Sequence, residues 1–355
     1  MADRQIRLLA LDGGGVRGLS SLMVLRRLMA TVDPDAESLP QPCDYFDMIG
    51  GTSTGGLIAV MLGRLRMSVD ECIDAYASLS DKVFEKKAHR VNIRGQLQGR
   101  FDAAALESAI KQILRERGLR DDALLKDTDA SCKVYAYLYE LVLCPTWLST
   151  HSYSHLVRFV CAASKETSNL VCLSSYRSPS DDNSDLLAST TVWQACRATA
   201  AATTFFDPIS IGPYGEEFVD GALVENNPVY TLWNQAQDVW GADQLQNRLQ
   251  CLVSIGTGVS NLAPIHDDVL RIGATLKGLA TETEKTAQRF HKDKATLANT
   301  GRYYRFNVDR GLEGVGLQES RKKNEIAAAT RLYVQSQAAS QQIKACAERL
   351  AGPKC

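Results

Sequence analysis

The sequence predicts an α/β fold, on three observations. A mostly apolar run, Ile6 to Leu11, feeds a glycine-rich turn and then an apolar stretch at helical spacing. A second run, Tyr45 to Ile49, feeds Gly51-Thr52-Ser53-Thr54-Gly55 and again an apolar helix, Leu57 to Leu62. A third, Cys251 to Ile255, ends in Gly256-Thr257-Gly258. Strands passing through glycine turns into helices are the units of α/β proteins.

Composition bounds the rest. The 355 residues suit one α/β domain, and 45% hydrophobic with 23% charged residues supports a sizeable core. A formal net charge of −1 offers no general basic field for nucleic acid. The N-terminus runs into a strand without an apolar signal region, and no segment approaches the roughly 18 apolar residues of a membrane span. The ten cysteines are scattered with no C-x-x-C pair, which predicts free thiols in a reducing, cytoplasmic setting. Cys355 is last in the chain, so the ending is not a prenylation box. No internal repeat or linker divides the chain, which reads as a single domain over 1–355.

The first turn, Asp12-Gly13-Gly14-Gly15-Val16-Arg17-Gly18, precedes a helix carrying Leu22, Leu25, Leu28 and Met29. Two functional readings compete with a plain tight turn. Gly13-x-Gly15-x-x-Gly18 satisfies the dinucleotide fingerprint, which also wants an acid on a second strand end about 20 residues on. The acids at that distance, Asp33, Asp35 and Glu37, lie in a Pro-broken polar loop. The other reading is an oxyanion hole, because adjacent glycines can aim backbone N–H groups at one point. Arg17 would then brace the loop or add positive charge.

The second turn is a nucleophile elbow in the context that motif requires, strand to helix with Ser53 at the apex. Gly51 and Gly55 remove the Cβ atoms that would collide as the strand reverses. The helix N-terminus beneath Ser53 favours negative charge there. A Gly-Ser turn between core elements is the plainer alternative.

Further along, Ser68 to Leu79 reads as a capped amphipathic helix and Asp102 to Leu114 as another. Between them Lys82, Lys86, Lys87, His89, Arg90, Arg94 and Arg100 form a basic stretch, either a solvated surface or a face for anionic headgroups. Val134 to Leu143 and Leu156 to Ala162 read as strands. Trp147 and Tyr153 lie where apolar residues would aid membrane insertion or fill a core. His151 and His155 stand at i and i+4 but lack a third ligand or neighbouring Glu, so no metal site is expected.

Residues 177–190 look like a long polar loop, and the small-residue stretch from Trp193 to Ala202 like a helix. Asp220-Gly221 between alternating apolar residues reads as a hairpin turn, or as a carboxylate general base. The glycines after Ile255 read as structural. Val269 to Leu297 and Gln318 to Leu350 carry helical, charged patterns.

Taken together, the Asp12–Gly18 turn, the Gly51–Gly55 elbow and Asp220-Gly221-Ala222 resemble the patatin-like phospholipase family. That family shows D-G-G-G-x-[RK]-G, G-x-S-x-G and D-G-[GA] in this order, and all three match without departure over about residues 5–260. The resemblance implies a three-layer α/β/α sandwich with a mostly parallel central sheet; from their helical patterns, residues 261–355 are expected to form a C-terminal helical part packed on the same domain. It also implies a Ser53–Asp220 dyad, with Ser53 as nucleophile and Asp220 taking its proton directly. The Gly14 and Gly15 N–H groups would hold the oxyanion, with Gly13, Arg17 and Gly18 supporting the loop. The implied activity is phospholipase A-type hydrolysis of carboxylic esters in membrane glycerolipids, through an acyl-Ser53 intermediate. Its implied setting is peripheral at a membrane surface, with no cofactor and no metal.

Three rivals remain. A Ser-His-Asp esterase of α/β-hydrolase type would use His266 or His291, in charged stretches. A nucleotide-binding oxidoreductase would use the first glycine turn. A silent lipid-binding or scaffold module would leave Ser53 and Asp220 unused.

Overall fold

A computed structural model describes residues 5–84, 101–126, 157–178, 184–203, 205–259 and 270–352, with backbone alone over 270–281. The predicted strand over 134–143, the basic residues beyond 84, His151, His155, Trp147, Tyr153 and His266 lie outside these described residues.

Among the described residues the central sheet has eight strands: β1 (Ile6–Leu11), β2 (Met48–Thr52), β3 (Val157–Ser164), β4 (Leu170–Ser174), β5 (Ile209–Ile211), β6 (Glu216–Asp220), β7 (Leu249–Ile255) and β8 (Tyr303–Phe306). Their order is β5-β6-β3-β2-β1-β7-β8, with β4 also paired to β3. The β3-β2-β1-β7-β8 centre is parallel; β4, β5 and β6 are antiparallel additions.

Strand alternation sorts the core onto two faces. Leu9, Leu11, Ile49, Val160 and Val253 face one helical layer; Ile6, Leu8, Met48, Phe159 and Leu252 face the other. Strands buried on both faces read as continuous apolar runs, which is why β1 and β7 were visible in the sequence. The first layer holds the helices Gly18–Val32, Thr54–Gly63, Val69–Val83, Ala103–Glu116, Val192–Thr199, Lys323–Gln335 and Gln337–Ala351. The second holds Val229–Trp240 and the end of Leu270–Asp293, through Leu232, Trp233 and Phe290. The two C-terminal helices pack against Gly18–Val32, and the last also against β7.

The Val69–Val83 helix opens with a capping box between Ser68 and Glu71, and Asp102 caps the helix after it. Elsewhere the sequence reading shifts. The strand at the elbow is Met48–Thr52, because Pro42 starts a short helical turn over Pro42–Tyr45. The expected loop at 177–190 contains a helix, Ser184–Ser189, that buries Leu186; its polar composition hid a single apolar anchor. Asp220-Gly221 makes no hairpin. β6 ends at Asp220 and a 3-10 turn over Gly221–Leu223 carries the chain towards the Val229–Trp240 helix. Asp33, Asp35 and Glu37 are exposed in the irregular segment after the first helix, not on a strand end, which removes the ribose contact of the dinucleotide reading.

β3 decides which chain ends meet. β2 runs beside Val157–Cys161 and leaves after Thr52. β4 occupies the opposite edge over Phe159–Ala163. β6, pairing with Ala162–Ser164, therefore takes the edge that β2 vacates. Thr52 pairs with Cys161 and Asp220 with the next residue, Ala162, so β6 arrives head-on to the end of β2.

The elbow helix, Thr54–Gly63, is buried along its whole length. It lies close enough to the sheet that a Cβ on Gly55 would fall 2.2 Å from the Leu11 carbonyl oxygen. Gly51 has the matching constraint, 2.2 Å from the Gly55 carbonyl oxygen. Gly55→Ala is therefore expected to destabilise the fold by about 3 kcal/mol or more, since backbone atoms must move. Urea denaturation followed by circular dichroism checks this; a midpoint equal to wild type contradicts the packing.

Candidate active site

The site lies at the carboxyl ends of β1, β2, β6 and β7, beside the point where strand order reverses about β1, the usual ligand position in open α/β sheets. Ser53 stands between β2 and the elbow helix with φ 55° and ψ −126°. Positive φ is costly for a residue with a Cβ and persists only where surroundings enforce it. Thr199 supplies that enforcement. Its buried hydroxyl accepts from the Ser53 N–H at 2.9 Å and donates to the Cys161 carbonyl at 2.7 Å.

The Ser53 hydroxyl donates to Asp220 Oδ2 at 2.7 Å. The other carboxylate oxygen, Oδ1, accepts from the Ala222 N–H at 2.9 Å. Burial raises the Asp220 pKa to about 7, against the lowering effect of those two hydrogen bonds. A carboxylate poised near neutrality and bonded to a serine hydroxyl has the geometry and basicity of a general base.

The glycine loop is clamped beside Ser53. The Gly13 N–H donates to the Asn226 carbonyl at 3.1 Å, and the Gly13 carbonyl accepts from Asn226 Nδ2 at 3.2 Å and Thr257 Oγ1 at 2.9 Å. The Gly14 N–H donates to Thr54 Oγ1 at 3.0 Å. Gly15 has φ 54°; its carbonyl accepts from the buried Tyr76 hydroxyl. Gly18 starts the first helix, tight against Tyr76, where a Cβ would fall 2.9 Å from the phenol oxygen. Arg17 is buried at the base of the loop; burial lowers its pKa to about 10, so it stays cationic at neutral pH.

Behind the loop is an ion pair absent from the sequence reading. Arg305 on β8 holds Asp12 through two bonds, Nη1 to Oδ1 at 3.0 Å and Nη2 to Oδ2 at 2.6 Å. Burial raises the Asp12 pKa to about 6 despite the opposing Arg305 charge. Arg305 Nη2 also reaches Glu284 Oε1 at 3.0 Å.

Ser53, Asp220 and the glycine loop line one cleft. Leu57, Val83, Leu106, Phe205 and Phe206, all in the first-layer core, make an apolar limb; Asn226, Thr257, Thr283 and Glu284 make a polar one. Thr257, between the two glycines that follow β7, lines the cleft and holds the Gly13 carbonyl. Ser53, Asp220, Gly13, Gly14, Gly15 and Arg17 all line this cleft; Gly18, Gly51 and Gly55 shape the backbone around it. His291 is exposed and does not line it. Among the described residues no group of three or more His, Cys, Asp or Glu is placed to hold a metal ion.

A patatin-like phospholipase family model matches residues 9–233. The chain belongs to the patatin-like phospholipase family. It is 28% identical over 331 residues to a human calcium-independent phospholipase A2-gamma, covering 90% of this chain and 37% of that one. It is 25% identical over 283 residues to phospholipase A I of Arabidopsis thaliana, covering 71% and 21% respectively. A third relative, 25% identical over 284 residues and also from Arabidopsis thaliana, is a probable inactive patatin-like protein 9, covered over 63% of its length. The chain thus spans little more than a third of the first of these relatives. Because the family includes a probable inactive member, the geometry around Ser53 matters more to function than membership does.

Thr199, Thr54, Tyr76, Asn226 and Arg305 were not singled out from the sequence. None belongs to a short motif with Ser53 except Thr54, inside the elbow itself. Thr199→Val is expected to cost about 1–3 kcal/mol by orphaning the Ser53 N–H and the Cys161 carbonyl, with Thr199→Ser close to wild type. Thermal unfolding of the two variants checks this.

Proposed function

We propose that this chain is a lipid acyl hydrolase of phospholipase A type, cleaving carboxylic esters of membrane glycerolipids through an acyl-Ser53 intermediate. The observation that carries the reading is the 2.7 Å Ser53–Asp220 hydrogen bond at the floor of a cleft with an apolar limb. Asp220 takes the Ser53 proton as Oγ attacks the ester carbonyl, then returns it to the leaving alcohol. Water repeats the sequence on the acyl-enzyme.

The Gly15 N–H, which has no partner among the described residues, and the Gly14 N–H hold the oxyanion; Gly14 shares its donation with Thr54. Gly13, Arg17 and Gly18 support that loop. The helix dipole at Thr54 adds to it. The apolar limb takes the acyl chain. We read the C-terminal helices, packed on the first helix and on β7, as part of the same catalytic unit. No helix among the described residues is long and apolar enough to cross a membrane, and the seven described cysteines are free thiols. The lipid-ester reading places its action at a membrane surface, and the free thiols fit a reducing, cytoplasmic compartment.

Fluorophosphonate labelling of wild type beside Ser53→Ala tests the nucleophile, with fatty-acid release from phospholipid vesicles measured on the same samples. Labelling and release are expected in wild type and absent in Ser53→Ala. Asp220→Asn is expected to lose at least 10²-fold in kcat while still folding, since Asn keeps an acceptor for the Ala222 N–H. His291→Ala is expected to match wild type; inactivity of that folded variant supports the triad instead.

The pH profile follows from Asp220. Only the ionised carboxylate accepts a proton, so kcat/KM is expected to rise with pH through about 7 and level off above it. A rate independent of pH between 5 and 9 contradicts Asp220 as base.

A further inference from the structure

The polar limb of the cleft carries a charge that the proposed chemistry does not use. Among the described lining residues three are charged: Arg17, Asp220 and Glu284. Asp220 is committed to Ser53 and Ala222, and Arg17 is buried under the glycine loop.

Glu284 is held differently. Its Oε1 accepts from Arg305 Nη2 at 3.0 Å and from Asn307 Nδ2 at 2.7 Å, while Oε2 has no hydrogen-bond partner among the described residues. Two donors fix the carboxylate by one oxygen of a residue that lines the cleft. Arg305 does not cancel its charge, because Arg305 is already paired with Asp12 through two bonds. Asp12, Arg305 and Glu284 together carry a net −1 at neutral pH, and Glu284 is the member that lines the cleft.

Position adds direction. Glu284 bonds to β8 and the segment just after it, at one end of the strand order. Phe205 and Phe206, in the apolar limb, belong to the core of the first helical layer, whereas Glu284 lies on the Leu270–Asp293 helix of the second, and Ser53 stands at the end of the sheet between the two layers. An acyl chain in the apolar limb puts the leaving alcohol, with its headgroup, towards Glu284.

We propose that Glu284 selects lipids whose headgroup ends in a cation, the choline and ethanolamine classes, over neutral and anionic headgroups. This rests on the lipid-hydrolase reading above and assigns its headgroup preference. The carboxylate is preoriented, so little side-chain freedom is lost when a cation docks, and the apolar cleft walls strengthen the attraction relative to water.

The test is binding, so that it does not depend on turnover. Short-chain diether lipids, which no esterase cleaves, are titrated into the full chain below their micelle concentration, one with a phosphocholine and one with a phosphoglycerol headgroup. Wild type is expected to bind the phosphocholine lipid about tenfold more tightly. Glu284→Gln keeps an oxygen for Arg305 and Asn307 but removes the charge, and is expected to bring the two affinities within about twofold. Equal affinities in wild type, a preference that survives in Glu284→Gln, or equal weakening of both lipids overturns the proposal. Its melting temperature verifies folding, and Glu284→Asp, should Gln unfold, is expected to retain the preference. Hydrolysis of p-nitrophenyl butyrate by wild type reports separately on the hydrolase reading, so the two failures are told apart.

Discussion

The site depends on one edge of β3 having two successive neighbours. β2 occupies it as far as Cys161, and β6 from Ala162 onward. Register pairing is stiff, because a one-residue slip would turn every side chain of a doubly buried strand to the wrong face. Ser53 and Asp220, 167 residues apart in sequence, are therefore brought to hydrogen-bond distance by backbone ladders rather than by flexible loops. Thr199 ties the same point from a third direction, bonding both the Ser53 N–H and the Cys161 carbonyl.

That arrangement costs stability locally and is held by its surroundings. Ser53 has positive φ, and Asp220 is a carboxyl whose charge is disfavoured by burial. Asp12 and Arg305 add a buried ion pair. Such pairs are weak evidence for stability, because desolvation offsets attraction. What this one provides is position: it joins the end of β1, where the glycine loop begins, to β8 across β7. Tyr76 and Thr54 fasten the same loop on its other side, through the Gly15 carbonyl and the Gly14 N–H. A loop clamped at successive peptides keeps its N–H groups preoriented, which is what stabilising a developing oxyanion requires.

Much of this was legible in the chain because the chemistry is local. A serine at a strand-to-helix reversal needs glycine at Gly51 and Gly55, and the close approaches of their Cα atoms to backbone oxygens give the reason. Asp220 was harder. Asp-Gly between apolar residues is an ordinary hairpin signal, and nothing within ten residues distinguishes a hairpin from a strand end that meets another strand. Only agreement with the two glycine motifs raised it. Thr199 and Tyr76 were unreadable: a threonine in a small-residue helix and a tyrosine in an amphipathic one look like packing residues until their partners are known.

The sequence carries the α/β class, the elbow, the glycine loop and the candidate pair Ser53 and Asp220 in its motifs, because glycine spacing and apolar runs express constraints between neighbours in the chain. It also determined the family, through three motifs in order. The folded structure set which end of the sheet the motifs share, that Ser53 and Asp220 are bonded, and that Asp12 pairs with Arg305. It alone placed Glu284 in the cleft, on a helix that shows in the sequence only as a charged helical pattern. Those are contacts between residues tens to hundreds of positions apart. They are set by strand register and by helix packing on two faces of one sheet, and no local pattern encodes them.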